Sequence, residues 1–125
     1  MKFEGVPGEC ILLPKASNEI SHLWIIITEP IGDQKRVVIA NLTSMRSNSD
    51  QTVILKKGDH PFIQHDSIIN YSDVRFVEVE KLINASAMFP VQKEFDSNIL
   101  NKIQKGLLPS PHTPLGIKEA FRGKF

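Results

Sequence analysis

The chain predicts a small antiparallel β-barrel finished by C-terminal helices, on three observations. Short apolar runs rich in β-branched residues recur through the first two-thirds, each ended by turn residues. No helix-length segment separates them, so neighbouring strands cannot be joined by parallel crossovers. The last third then changes period, with apolar residues at helical spacing behind capping and proline signals. With 125 residues, 41% hydrophobic and 23% charged, one modest core needs no disulfide support. About five or six strands in an SH3-like barrel are expected over residues 1–90, with a helical extension over 91–125 packed on the same domain.

The elements follow in order. Cys10–Leu13 is a short strand stopped by Pro14. His22–Thr28 is nearly all apolar, the pattern of a strand buried on both faces. Ile31-Gly32-Asp33-Gln34 turns the chain, and Arg36–Asn41 returns as a hairpin partner. Residues 43–51 form a polar surface loop. Thr52–Leu55 is a strand stopped by Lys56-Lys57-Gly58-Asp59, and Ser67–Asn70 and Val74–Val79 read as two more.

Glu80–Ala87 fits one short helix. Asp96 or Ser97 caps Asn98–Lys105, where Ile99, Leu100, Ile103 and Leu107 share a face and Gly106 stands at the usual stop. Leu108-Pro109-Ser110-Pro111 is a stiff linker. Thr113 then reads as an N-cap with Pro114 at the first helical position. This last helix runs through Phe121 to Gly123, docked by Leu115 and Phe121 with Ile117.

A net charge of +1 gives no whole-molecule reason to expect nucleic acid. Locally, Lys102, Lys105, Lys118, Arg122 and Lys124 face only Glu119 beyond residue 100, so this tail could meet phosphates, or simply be a solvated helix surface. Cys10 is the only cysteine, which excludes an internal disulfide and reads as a small core hydrophobe. Met1–Gly5 lacks the apolar stretch of a secretory signal, and Leu23–Ile27 is too short to cross a bilayer. A cytoplasmic protein without membrane contact is expected.

The chemistry concentrates in Gly58–Ser67, where His60 and His65 stand beside Asp59 and Asp66. Imidazole titrates near neutrality, which suits proton transfer or metal binding. His22 opens the apolar strand, and Thr43-Ser44 closes the next one. If the sheet curls, these ends gather at one rim. A metal reading would recruit His60, His65 and His22 with Asp59 or Asp66, but the spacing matches no common zinc motif, so no metal or cofactor is expected. A non-catalytic interaction module binding protein or nucleic acid is the other alternative, favoured if Phe62, Phe89 or Trp24 faces outward. His112 reads as a surface residue beside the last helix.

The order of segments from Gly8 to Leu82 resembles the PemK/MazF-like toxin family. His22-Leu-Trp-Ile-Ile-Ile-Thr28 is similar to its second strand, and Val37-Val-Ile-Ala-Asn-Leu-Thr-Ser44 to its strand ending in Thr-Ser. Ser67 to Leu82 is similar to its closing strands and helix start. The resemblance rests largely on hydrophobic pattern. It implies an SH3-like barrel that cuts single-stranded RNA without metal and is neutralised by an antitoxin-like protein; a homodimer is allowed. The family's catalytic pair is an arginine, usually followed by proline, and the threonine of Thr-Ser. By position the threonine falls on Thr43 and the arginine on His22, which is followed by Leu23. The family's glycine-rich loop is replaced by Lys15–Glu19.

Metal-independent RNA cleavage needs a base for the 2′-hydroxyl, an acid for the leaving oxygen and donors for the phosphorane. His22, His60 and His65 suit the first two tasks. Thr43 or Ser44 could donate to a non-bridging oxygen, Arg46, Lys56 and Lys57 could supply positive charge, and Asp59 or Asp66 could fix a tautomer.

Overall fold

The computed structural model describes residues 2–14 and 21–125. The Lys15–Glu19 replacement loop therefore lies outside the described residues. The strands are β1 (Cys10–Pro14), β2 (Ser21–Ile26), β3 (Arg36–Ser44), β4 (Ile54–Leu55), β5 (Ser67–Glu78) and β6 (Val91–Gln92). The helices are α1 (Val79–Ala85), α2 (Ser97–Gly106) and α3 (Leu115–Phe121). All pairings are antiparallel, in the order β4-β5-β3-β2-β1-β6, a curled sheet forming a half-barrel. The chain is thus mainly β with helices. No helix among the described residues is long and apolar enough to cross a membrane.

The central strands are buried on both faces because their apolar runs leave no polar face to expose. Alternation along a strand splits them into two layers. Leu23, Ile25, Val38, Ala40 and Leu42 point into the larger core, which α2 and α3 close with Ile103, Leu107, Ile117 and Phe121. Trp24, Ile26, Val37 and Ile39 point the other way, under Phe3 and Leu82 of α1. Trp24 is only 4% exposed, and the Arg75 guanidinium lies 5.0 Å from its ring centre. It therefore offers no outward aromatic surface.

The two strands expected from Ser67 to Val79 are one. β5 runs unbroken past a bulge, where its register with β3 jumps from Ile39↔Arg75 to Asn41↔Asn70. The extra residues are used. Tyr71 turns inward, fully buried, and its hydroxyl donates to the Ile103 carbonyl at 2.7 Å, while Asp73 accepts from the side-chain amides of Asn41 and Asn70. Burial, with the charge of Asp50 behind it, pushes the Tyr71 phenol pKa up.

The C-terminal third differs from expectation in four details. β6 pairs with β1, so the sheet gains a strand from beyond residue 90. Gly106 is not a left-handed stop but the last residue of α2, packed so tightly that a Cβ would collide with the Tyr71 hydroxyl and Val53. In α3 the N-cap position is Pro114, not Thr113; the buried Thr113 hydroxyl has no hydrogen-bond partner among the described residues. Leu115 is 66% exposed, so this helix docks through Ile117 and Phe121 with Ala120 beside them, and not through Leu115.

One polar clasp ties the polar loop after β3 to the α2–α3 linker. Fully buried Ser110 donates to Asp50 Oδ2 at 2.5 Å, and Thr52 donates to Oδ1 from both its amide and its hydroxyl. Burial works to raise the Asp50 pKa, but the bonds from Ser110 and Thr52, with His112 nearby, outweigh it and hold the carboxyl below its ordinary 3.8. A carboxyl lowered by folding stabilises fully above its unfolded pKa, and that contribution fades as pH falls through the folded value. Asp50→Ala should thus cost about 1–2 kcal/mol near neutrality. Urea midpoints of wild type and variant should converge once the pH drops well below 3.8.

Candidate functional site

The site forms where β3 runs out. Alternation puts Thr43 on the Trp24 side of the sheet and Ser44 on the opposite side, with Leu42. Extending the β2–β3 register one step at a time from Trp24↔Asn41 sets His22 opposite Thr43. On the other side, Ser44 pairs with Ser67 in β5, just after His65. The loop joining β4 to β5 folds back over this end. An open cleft of about 420 Å³ results, lined by His22, Thr43, Ser44, Arg46, Phe62 and His65 with Ser21, Leu23, Leu42, Ile63, Gln64 and Ser67.

Five of the residues singled out from sequence therefore share one cavity: His22, Thr43, Ser44, Arg46 and His65. Ser44 Oγ and His65 Nε2 are hydrogen-bonded at 2.7 Å on exposed side chains. His22 is half-buried, and its Nδ1 lies 3.4 Å from the Leu42 carbonyl. As a donor there, Nδ1 leaves Nε2 as the basic nitrogen. Arg46 is held at its backbone, whose N–H donates to Ser49 Oγ at 2.8 Å, and its side chain is exposed.

His60 is not in this cleft. Its ring is 4% exposed and stacks on Phe95 with centres 4.1 Å apart. Nδ1 accepts from the Phe62 amide at 3.0 Å and Nε2 donates to the Lys93 carbonyl at 2.6 Å, so both nitrogens serve the backbone. The ring is a clasp between the β4–β5 loop and the segment joining β6 to α2. His60→Ala should cost about 2–4 kcal/mol, because it empties a packed site and orphans two backbone bonds. Urea denaturation of that variant beside His65→Ala, which should stay within about 0.5 kcal/mol of wild type, checks the contrast.

The remaining candidates also stand apart. Lys56 Nζ pairs with Asp66 at 3.5 Å on the surface, a contact worth little. Asp59 accepts from the Lys56 amide at 2.8 Å and shapes the turn. Neither carboxylate meets a histidine. Lys57, Asp59 and His60 instead border a second open depression of about 360 Å³ with Lys93 and Asp96. No group of three or more His, Cys, Asp and Glu among the described residues is arranged to hold a metal ion. Cys10 is buried and donates to the same Lys93 carbonyl; burial, with Glu9 and Glu94, pushes its thiol up to about 12. It stays a core residue and no nucleophile.

Sequence reasoning passed over Gln64 and held Phe62 only as a conditional docking aromatic. Their signal was position: both sit between the buried Ile63 and the exposed His65 or Pro61 in a loop that has to cross the sheet end. Comparison with protein-family models and with curated proteins finds no match for this chain.

Proposed function

We propose that the cleft binds single-stranded RNA and cleaves it without metal, as a PemK/MazF-like endoribonuclease toxin whose partner is an antitoxin-like protein. The observation that supports this is that one open cleft at the end of β3 is lined by His22, Thr43, Ser44, Arg46 and His65. His22 Nε2 takes the proton of a ribose 2′-hydroxyl. That oxygen attacks the adjacent phosphorus, and the bond from phosphorus to the 5′-oxygen breaks. His65, hydrogen-bonded to Ser44, returns a proton to the leaving oxygen. Arg46 and the Thr43 hydroxyl stabilise the added negative charge on the phosphorane. The products are a 2′,3′-cyclic phosphate and a 5′-hydroxyl.

The test is end-labelled single-stranded RNA incubated with the protein in EDTA. Cleavage to cyclic-phosphate ends is expected, while the same sequence carrying 2′-O-methyl groups stays intact. Intact unmodified RNA beside folded protein refutes the reading. A catalytically inactive interaction module is the second reading, favoured by Phe62 standing 40% exposed in the lining of the cleft. RNA binding with no strand scission would select it.

A further inference from the structure

We propose that Phe62 is a stacking platform for an unpaired nucleobase, so that the cleft selects single-stranded RNA by base as well as by phosphate. This rests on the RNA reading above and adds a subsite to it. Phe62 lines the cleft at 40% exposure, while its neighbour Ile63 is buried at 3%. A lone exposed aromatic is unremarkable when its backbone is loose; here the loop is fastened on both sides of the ring. The Phe62 amide donates to His60 Nδ1 at 3.0 Å, and His60 is itself clasped by Lys93 and Phe95. The Ile63 amide donates to the His60 carbonyl at 2.9 Å, and Gln64 Nε2 donates to the Pro61 carbonyl at 3.0 Å.

A rigidly presented ring beside hydroxyls, imidazoles and a guanidinium is what a nucleotide offers surfaces for: an aromatic face for the base and polar groups for the sugar and phosphate. A Gln amide at the same wall is suited to a base edge. His60 then acts through Phe62, as a positioning residue for the subsite. A peptide side chain could also rest on Phe62, but the cation and acid–base groups around it favour a phosphodiester.

The test uses short single-stranded 2′-O-methyl RNA oligomers, which bind without being cut, in fluorescence anisotropy across a salt series. Phe62→Ala should weaken binding roughly tenfold, Phe62→Trp should restore it, and the slope of log affinity against log salt should not change. Arg46→Ala should instead flatten that slope by about one unit. An oligomer carrying 2-aminopurine should show quenching on wild type and none on Phe62→Ala. Unchanged affinity in Phe62→Ala, or no quenching on wild type, overturns the stacking subsite while the RNA reading stands. No oligomer binding by wild type removes the RNA reading and this subsite together, and binding of peptides in its place would reassign the ring.

Discussion

His65→Ala should slow RNA cleavage by at least about a hundredfold while leaving the fold intact. The side chain is exposed, and among the described residues its hydrogen-bond partner is the Ser44 hydroxyl at 2.7 Å, so truncation opens no core cavity. In the proposed mechanism it removes the proton donor for the leaving 5′-oxygen, a contribution of about 10²–10⁴ in rate. Ser44→Ala should cost less, since in that mechanism Ser44 orients the imidazole through their hydrogen bond and does not carry the proton. His22→Ala should fall with His65→Ala, and each should erase a different limb of the pH–rate profile if, as proposed, one residue works as base and the other as acid. Quenched-flow or gel kinetics against pH reads this directly. If the two variants lose the same limb, the assignment of base and acid is wrong. If neither slows cleavage, the chemistry lies elsewhere.

Gly106→Ala should destabilise the protein by about 2–3 kcal/mol, against the trend of helix propensity. Alanine favours a helix over glycine by up to about 1 kcal/mol, so a free helix end would gain. Here the added methyl meets the Tyr71 hydroxyl and Val53. Tyr71 cannot withdraw easily, being fully buried and committed to the Ile103 carbonyl. Either that hydrogen bond breaks inside the core or α2 lifts from the sheet. Thermal unfolding of Gly106→Ala should show a lowered midpoint, and Gly106→Ala combined with Tyr71→Phe should recover part of it, because the clashing oxygen is gone. An unchanged or raised midpoint in the single variant would mean that α2 is free to shift.

These two cases also show how far residues alone carry the reading. β2, β3 and the turn between them were legible because an unbroken apolar run and a Gly-Asp turn are local signals. The helical period of Ile99, Leu100, Ile103 and Leu107 was equally local. Gly106 was legible as a helix end, but its packing against Tyr71 joins residues far apart in sequence, which no window reveals. The continuity of β5 was hidden by Asn70–Asp73, polar residues that look like a break until Tyr71 turns inward and Asp73 collects two asparagine amides. β6 is two residues following a proline, too short to announce itself.

The site divides in the same way. Thr43, Ser44 and His22 were placed at strand ends by pattern, and antiparallel register brings strand ends together. His65 reaches Ser44 because it stands two residues before Ser67, the partner of Ser44 in β5. His60 looked chemically equivalent to His65 in the sequence. The difference between them comes from Phe95 and the Lys93 carbonyl, partners more than thirty residues downstream.

The larger core is sealed by Ile117 and Phe121, the last apolar residues that α3 contributes. A nascent chain emerging from the ribosome therefore carries β2 and β3 with one greasy side uncovered until α3 follows. Domain folding on the ribosome waits for the segments that complete the interior, and here that moment comes only after residue 121 clears the exit tunnel. Until then the half-made sheet is the form most in need of a chaperone.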